Sequence, residues 1–187
     1  AVVLKPSEKS PLSSMILLET LIKNGLPANM VNIITGKNGK KTVSEIFSKS
    51  TIDLVSFTGS LSVGKHIEKM LIDKKHFLTK FIPDLGGCSS LIICNDCNLQ
   101  KAVDITLDGC FKYSGQRCTS VRRVIVEKKI ADKFIKLLLS KVKNIKFGNP
   151  FDKKNDLGTL VNSFEAKSVQ KKINLYKKGC KISLRQY

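Results

Sequence analysis

Alternation is the feature that most constrains this chain. Over about its first eighty residues, three short apolar segments take turns with three segments of helical period. "AVVL" (Ala1 to Leu4) reads as a strand that stops at Pro6. From Ser13 to Asn24 the apolar residues Met15, Leu18, Leu21 and Ile22 recur with helical spacing, and Gly25 supplies the stop. "MVNIIT" is the next strand, ending at Gly36, and residues 42 to 48 form a short helix. "IDLVSF" is the third strand, ending at Phe57. Ser62 to Leu71 follows as a helix with Val63, Ile67, Met70 and Leu71 expected on its buried side. Strands joined by helical crossovers must run parallel, with right-handed connections. Such sheets bind ligands beyond the carboxyl ends of their strands, and Lys5, Gly36 and Thr58-Gly59-Ser60 all fall there.

The pattern shifts after Gly86-Gly87. "SLIIC" reads as a strand, Leu99 to Phe111 as a helix, "RRVIVE" as a strand, and Ala131 to Lys143 as an amphipathic helix. A loop, "KFGNPFDKKNDLG", leads to a last helix from Phe164 to about Lys178. The expected organisation is therefore two α/β units, 1–86 and 87–187. No internal repeat or low-complexity segment is present. "AVVLKPSE" lacks the basic start and apolar core of a leader peptide and reads as a strand entering a turn. The chain is thus expected to be an internal fragment.

Thirty-three Lys and Arg against fifteen Asp and Glu give a net charge of +18. That balance invites a nucleic-acid reading. The lysines, however, are spread through every segment, there is no Trp, and no RNA-binding aromatic motif or zinc-finger spacing occurs. A solvated basic surface is the expectation, with no nucleic-acid partner. No apolar run approaches the roughly 18 residues of a membrane span, so no membrane partner is expected. The six cysteines are Cys88, Cys94, Cys97, Cys110, Cys118 and Cys180. A chain long enough to build a core needs no disulfide staples, so they are expected to be reduced and the protein cytoplasmic. Cys94-Asn95-Asp96-Cys97 has no second C-x-x-C to complete a zinc site, and His66 and His76 stand singly. Packing is the expected role of the pair, and no metal site is expected.

Four stretches carry chemistry. "SFTGSLSVGK" (56 to 65) runs from a strand through Thr58-Gly59-Ser60 into a helix, so backbone N–H groups and the helix dipole face the strand end. Gly59 permits close approach and the hydroxyls can donate to a phosphate; a plain capped helix start has the same appearance. "LKPSEKSP" (4 to 11) places Lys5 and Glu8 at a strand tip, where they either meet ribose hydroxyls or form a solvated turn. "PDLGG" (83 to 87) sets one carboxylate, Asp84, before two glycines that admit a ligand. In "SGQRCTSVRR", Cys118 lies in a turn between helix and strand, beside Arg117 and close to Arg122 and Arg123. Backbone dipoles and cations favour a thiolate in such a turn. A buried inert role suits Cys110 and Cys180 better than Cys118.

In this order, "VVLKPSEKSP", "NGLPANMVNIITG", "FTGSLSVGK", "DLGG" and "SGQRCTSVRRVIV" resemble the aldehyde dehydrogenase superfamily over the whole chain. The branch most similar holds the non-phosphorylating glyceraldehyde-3-phosphate, lactaldehyde and phosphonoacetaldehyde dehydrogenases. The resemblance implies part of a Rossmann-like, parallel-sheet NAD(P)-binding domain over 1–86. Part of an α/β catalytic domain would follow over 87–187. It implies Cys118 as nucleophile, Asp84 as general base, and NAD as cofactor, with NADP an alternative. Lys5 and Glu8 would contact the adenosine ribose, and the Glu8 carboxylate favours NAD. Gly36 would lie by the adenine, Thr58, Gly59, Ser60 and Gly64 by the pyrophosphate, and Leu85-Gly86 beside the nicotinamide. Arg117 would contact an anionic substrate, or else cap the local structure. The implied substrate is a small anionic or hydroxylated aldehyde, and the implied assembly of the full-length protein is a homodimer or homotetramer.

One departure is marked. The family has Glu-Leu-Gly-Gly where this chain has Asp84-Leu85-Gly86-Gly87. The shorter side chain sets its carboxylate roughly 1.5 Å farther from a water placed for Glu. That implies a second water or slow deacylation. Two other readings follow: an inactive or truncated relative that keeps the fold, and a basic nucleic-acid-binding module. The fragment by itself is expected to be inactive.

Overall fold

A computed structural model describes residues 1–176, and the chain divides into two compact units, residues 1–86 and residues 87 onward. Cys180 lies outside the described residues.

In the first unit, β1 (Val2–Leu4), α1 (Leu12–Lys23), β2 (Val31–Ile33), α2 (Gly39–Lys49), β3 (Leu54–Gly59), α3 (Leu61–Asp73) and β4 (Lys80–Leu85) follow one another. β1 pairs with β2 and β3 with β4, both parallel, as the crossovers require. They form two separate two-stranded ladders. Phe47 of α2 and Ile67, Met70 and Leu71 of α3 make the buried core, packed against Val55, Phe57 and Phe81 of β3 and β4. Val63, expected on that buried face, is 37% exposed. It sits in the first turn of α3, beside the buried Gly64.

The structure differs from the sequence expectation at several element ends and by one whole strand. β3 runs on to Gly59 instead of ending at Phe57, because β4 continues the ladder beside it through Gly59↔Leu85. β4 itself was hidden by Pro83 and the Gly86-Gly87 pair, which punctuate like a loop. Proline is tolerated in an edge strand, and that is where Pro83 lies. α2 starts at Gly39 instead of 42, because the Asn38 side chain caps it by accepting from Lys41 N at 3.1 Å.

The second unit comprises β5 (Ser90–Ile93), α4 (Leu99–Phe111), a 3-10 turn (Lys112–Gly115), β6 (Arg123–Val126), α5 (Lys128–Val142) and α6 (Ser163–Tyr176). β5 and β6 are parallel. Ile93, Val103 and Phe134 form the core between this ladder and helices α4 and α5. Cys94 departs from the packing role expected of the pair, since it is exposed, whereas Cys97 is half-buried and packs against this core. The cause is local: they bracket a turn that leaves β5 before Asn98 caps α4. No helix among the described residues is long and apolar enough to cross a membrane.

Candidate active site

The candidate ligand residues of the first unit lie at or just beyond the carboxyl ends of its strands. Lys5 follows β1 directly. Its Nζ donates to Pro6 O at 2.8 Å and lies 3.5 Å from Glu8 Oε2. Both side chains lie over the start of α2: a Cβ built on Gly39 would be 3.4 Å from Glu8 Oε2 and from Lys5 Nζ. The Glu8 carboxyl is held below its ordinary value. Its own backbone hydrogen bond lowers it most, partial burial opposes this, and the charges of Lys5 and Lys9 lower it further. Gly36 lies in the loop between β2 and α2, with Thr42 Oγ1 only 2.8 Å from where a Cβ would be. One cation, one carboxylate and a helix N-terminus thus stand side by side.

The β3–α3 junction is built differently from the turn expected for it. Thr58 and Gly59 belong to the strand, and Ser60 alone is the cap, its Oγ accepting from Val63 N at 3.4 Å and sharing a hydrogen bond with Ser62 Oγ. Any Cβ at Gly59 would overlap the Phe57 ring at 2.5 Å. Gly64 is buried, with Leu85 Cδ2 at 2.7 Å from its would-be Cβ, so α3 can lie this close to β4 only at a glycine. The parallel register sets Thr58 opposite Asp84 and Gly59 opposite Leu85, and Gly86 N donates to Gly59 O at 3.1 Å. The phosphate-type turn and the candidate base are therefore neighbours on one sheet edge. Asp84 is exposed, and no atom lies within 4 Å of a would-be Cβ on Gly86 or Gly87. The glycine pair leaves open space.

Cys118, in the second unit, lies in a turn at residues 117–120 that follows a strained stretch of backbone. Tyr113, Ser114 and Gly115 are left-handed in succession, with φ of +54°, +56° and +68°. That conformation costs a non-glycine residue about 1–2 kcal/mol. Side-chain bonds hold it in place. Ser114 Oγ donates to Gly158 O at 2.7 Å. The Gln116 amide accepts from Val161 N at 2.8 Å through Oε1 and donates through Nε2 to Thr159 O at 3.3 Å and Tyr113 O at 3.4 Å. On the far side, Arg117 N donates to Ser120 Oγ, Ser120 N to Arg117 O, and Val121 N to Gly109 O at 2.9 Å. Ser120 is fully buried, whereas Cys118 between these anchors is exposed.

The Arg117 guanidinium stacks 5.2 Å from the centre of the Tyr113 ring, and its Nε is buried with no hydrogen-bond partner among the described residues. Burial pushes the Cys110 thiol up from its ordinary value, in keeping with an inert role. Sequence reasoning missed Gly39, Ser114 and Gln116. Gln116 stood inside a quoted motif, but its partners are 43 and 45 residues away. Among the described residues no cluster of three or more His, Cys, Asp or Glu offers a metal site.

Comparison with known proteins gives a consistent picture. The sequence model of the Aldehyde dehydrogenase family matches residues 1–186. A lactaldehyde dehydrogenase of Methanococcus aeolicus is 38% identical over 178 residues, which cover 93% of this chain and 37% of that protein. A benzaldehyde dehydrogenase of Bacillus subtilis is 33% identical, over 92% of this chain and 35% of its own. Among solved structures, betaine aldehyde dehydrogenase of Staphylococcus aureus in complex with NAD+ superposes with a TM-score of 0.89 at 33% identity. The match covers 97% of this chain and 36% of that one. The chain thus spans little more than a third of the length of the relatives it matches.

Proposed function

The chain belongs to the aldehyde dehydrogenase family, and from that premise we propose that it is the cofactor-and-nucleophile portion of an NAD-dependent aldehyde dehydrogenase. Residues 1–86 are the C-terminal part of its NAD-binding domain, and residues 87–187 the N-terminal part of its catalytic domain. The observation that carries this reading is Cys118, exposed in a turn at residues 117–120 that follows the left-handed stretch Tyr113–Gly115 and has side-chain and backbone anchors on both sides. Conformational strain kept at one position by its surroundings is characteristic of reactive sites.

In this reading the Cys118 thiolate attacks the aldehyde carbon, forming a C–S bond and a thiohemiacetal. The Cys118 backbone N–H is one donor to the oxyanion. NAD, when bound, supplies the acceptor for the hydride that leaves this carbon. A thioester remains, and Asp84 draws a proton from the water that hydrolyses it, releasing the carboxylic acid and freeing Cys118. Lys5 and Glu8 hold the adenosine ribose, and a carboxylate there repels a 2′-phosphate. Gly36 lies by the adenine, Thr58, Gly59, Ser60 and Gly64 by the pyrophosphate, and Leu85 and Gly86 by the nicotinamide. Arg117, next to Cys118 in sequence and stacked on Tyr113, is the cation assigned to an anionic or hydroxylated small aldehyde.

The test uses the full-length protein with an aldehyde panel and both NAD and NADP. Cys118→Ala is expected to lose NAD-dependent oxidation altogether. Wild-type activity in that variant would remove Cys118 from the mechanism, and a clear preference for NADP would overturn the role given to Glu8.

A further inference from the structure

We propose that Cys94 and Cys97 are a redox-active dithiol: they close to an intramolecular disulfide by exchange with a small-molecule disulfide. The pair brackets the turn that carries the chain from β5 into α4, and Cys97 N donates to Cys94 O at 3.3 Å. A turn of this kind brings its first and fourth Cα atoms within about 7 Å. Disulfides form across roughly 4.4–6.8 Å between Cα atoms, a range that such a turn reaches.

Both thiols line one open groove of about 310 Å3, together with Ile92, Lys101, Ala102 and Ile105. Cys94 is exposed and so open to an incoming disulfide, while Cys97 is half-buried behind it. The turn is also braced from outside. Glu127 Oε2 accepts from Asn95 N at 2.8 Å and Oε1 from the Asn95 amide, so the two residues between the cysteines are held from the start of α5. Holding the turn fixed keeps the second thiol beside the first.

No other described cysteine competes. Cys88 precedes β5 and Cys94 follows it, and the strand between them alone spans roughly 10 Å, beyond disulfide reach. Cys110 lies near the far end of α4 and Cys118 follows that end, and the helix's 13 residues extend about 20 Å. With no third ligand in reach among the described residues, the pair does not make a zinc site.

The chemistry balances with a disulfide such as oxidised glutathione as electron acceptor. One cysteine thiolate attacks it, forming a mixed disulfide and releasing one glutathione thiolate. The second cysteine, losing its proton, attacks the mixed disulfide and releases the other. The protein loses two hydrogens and two glutathione thiols form.

The test equilibrates the full-length protein in glutathione buffers of graded redox ratio, quenches with acid, alkylates free thiols and maps the peptides. Cys94 and Cys97 should lose alkylation together, in one transition, on a peptide lighter by two hydrogens. Cys94→Ser and Cys97→Ser should each leave the remaining cysteine carrying glutathione, and Cys88→Ser should leave the transition unmoved. Independent alkylation of the two cysteines at every ratio would overturn the proposal. So would glutathione on both, or a Cys88–Cys94 linkage. The wild-type map needs no variant to fold.

Discussion

Asp84 and Gln116 are where single residues are expected to set the rate. Asp84 is exposed and paired in register with Thr58, so it stands at the sheet edge that also carries the phosphate-type turn. A carboxylate one methylene short of the family's Glu should act on water less directly. In the full-length enzyme, Asp84→Glu is therefore expected to raise the steady-state rate while leaving the initial burst of reduced NAD unchanged. Asp84→Asn should keep the burst and lower turnover by about a hundredfold, the low end of a general base's contribution. Pre-steady-state absorbance separates the two phases, and no change in either variant would assign the base elsewhere. Gln116 touches no reacting atom in the proposed chemistry. It is a positioning residue that clips the Cys118 turn to residues 159 and 161. Gln116→Ala should lower stability by roughly 1–3 kcal/mol, the net worth of its bonds, and slow alkylation of Cys118. Gln116→Glu should not rescue alkylation, because a carboxylate cannot donate to the Thr159 and Tyr113 carbonyls. Rescue by Glu would mean that only the bond to Val161 N matters.

At the scale of elements, the contact between α3 and β4 is set by one missing side chain. Gly64 is buried, and a Cβ there would meet Leu85 Cδ2 at 2.7 Å. Gly64→Val adds three carbons at that point and is expected to cost about 1–3 kcal/mol as overpacking. It should also raise KM for NAD more than it changes kcat, because Leu85 and the α3 start move together. Thermal denaturation and cofactor titration read the two effects, and an unchanged KM would detach α3 from cofactor binding. Elements were also the scale at which the sequence was most legible. α4 was placed from Leu99 to Phe111 by its apolar spacing, and the structure has it there. β4 was not legible, because Pro83 and the double glycine carry loop signals that only the pairing with β3 overrides. The left-handed turn at Tyr113–Gly115 was equally hidden, since a tyrosine and a serine give no local reason for positive φ.

For the molecule as a whole, the net charge of +18 bears on binding without specifying a partner. The lysines are distributed over every segment, so any attraction to nucleic acid should be diffuse. Oligonucleotide binding by the full-length protein is expected to vanish by about 0.15 M salt, as counterion release predicts for nonspecific contacts. Tight binding that persists there, measured by anisotropy, would favour a dedicated nucleic-acid face. Packing also has a whole-molecule aspect. α1 buries none of its residues, and Leu12, Met15, Ile16, Leu17, Leu21 and Ile22 are each at least 40% exposed. Only Leu18 among its apolar residues is half-buried, so the helix draws little packing energy from its apolar side. What the sequence by itself determined was the alternation of strand and helix, the parallel pairing it forces, and the ends at which ligand residues collect. Those follow from periodicity and from glycine and proline, which act within a few residues of where they stand. Tertiary structure alone decided that Asp84 lies opposite Thr58, that Gln116 grips residues 159 and 161, and that the backbone at Tyr113–Gly115, ahead of Cys118, is left-handed. Each of these rests on contacts between residues 26 to 45 apart in the chain, whose closure depends on the packing of whole elements.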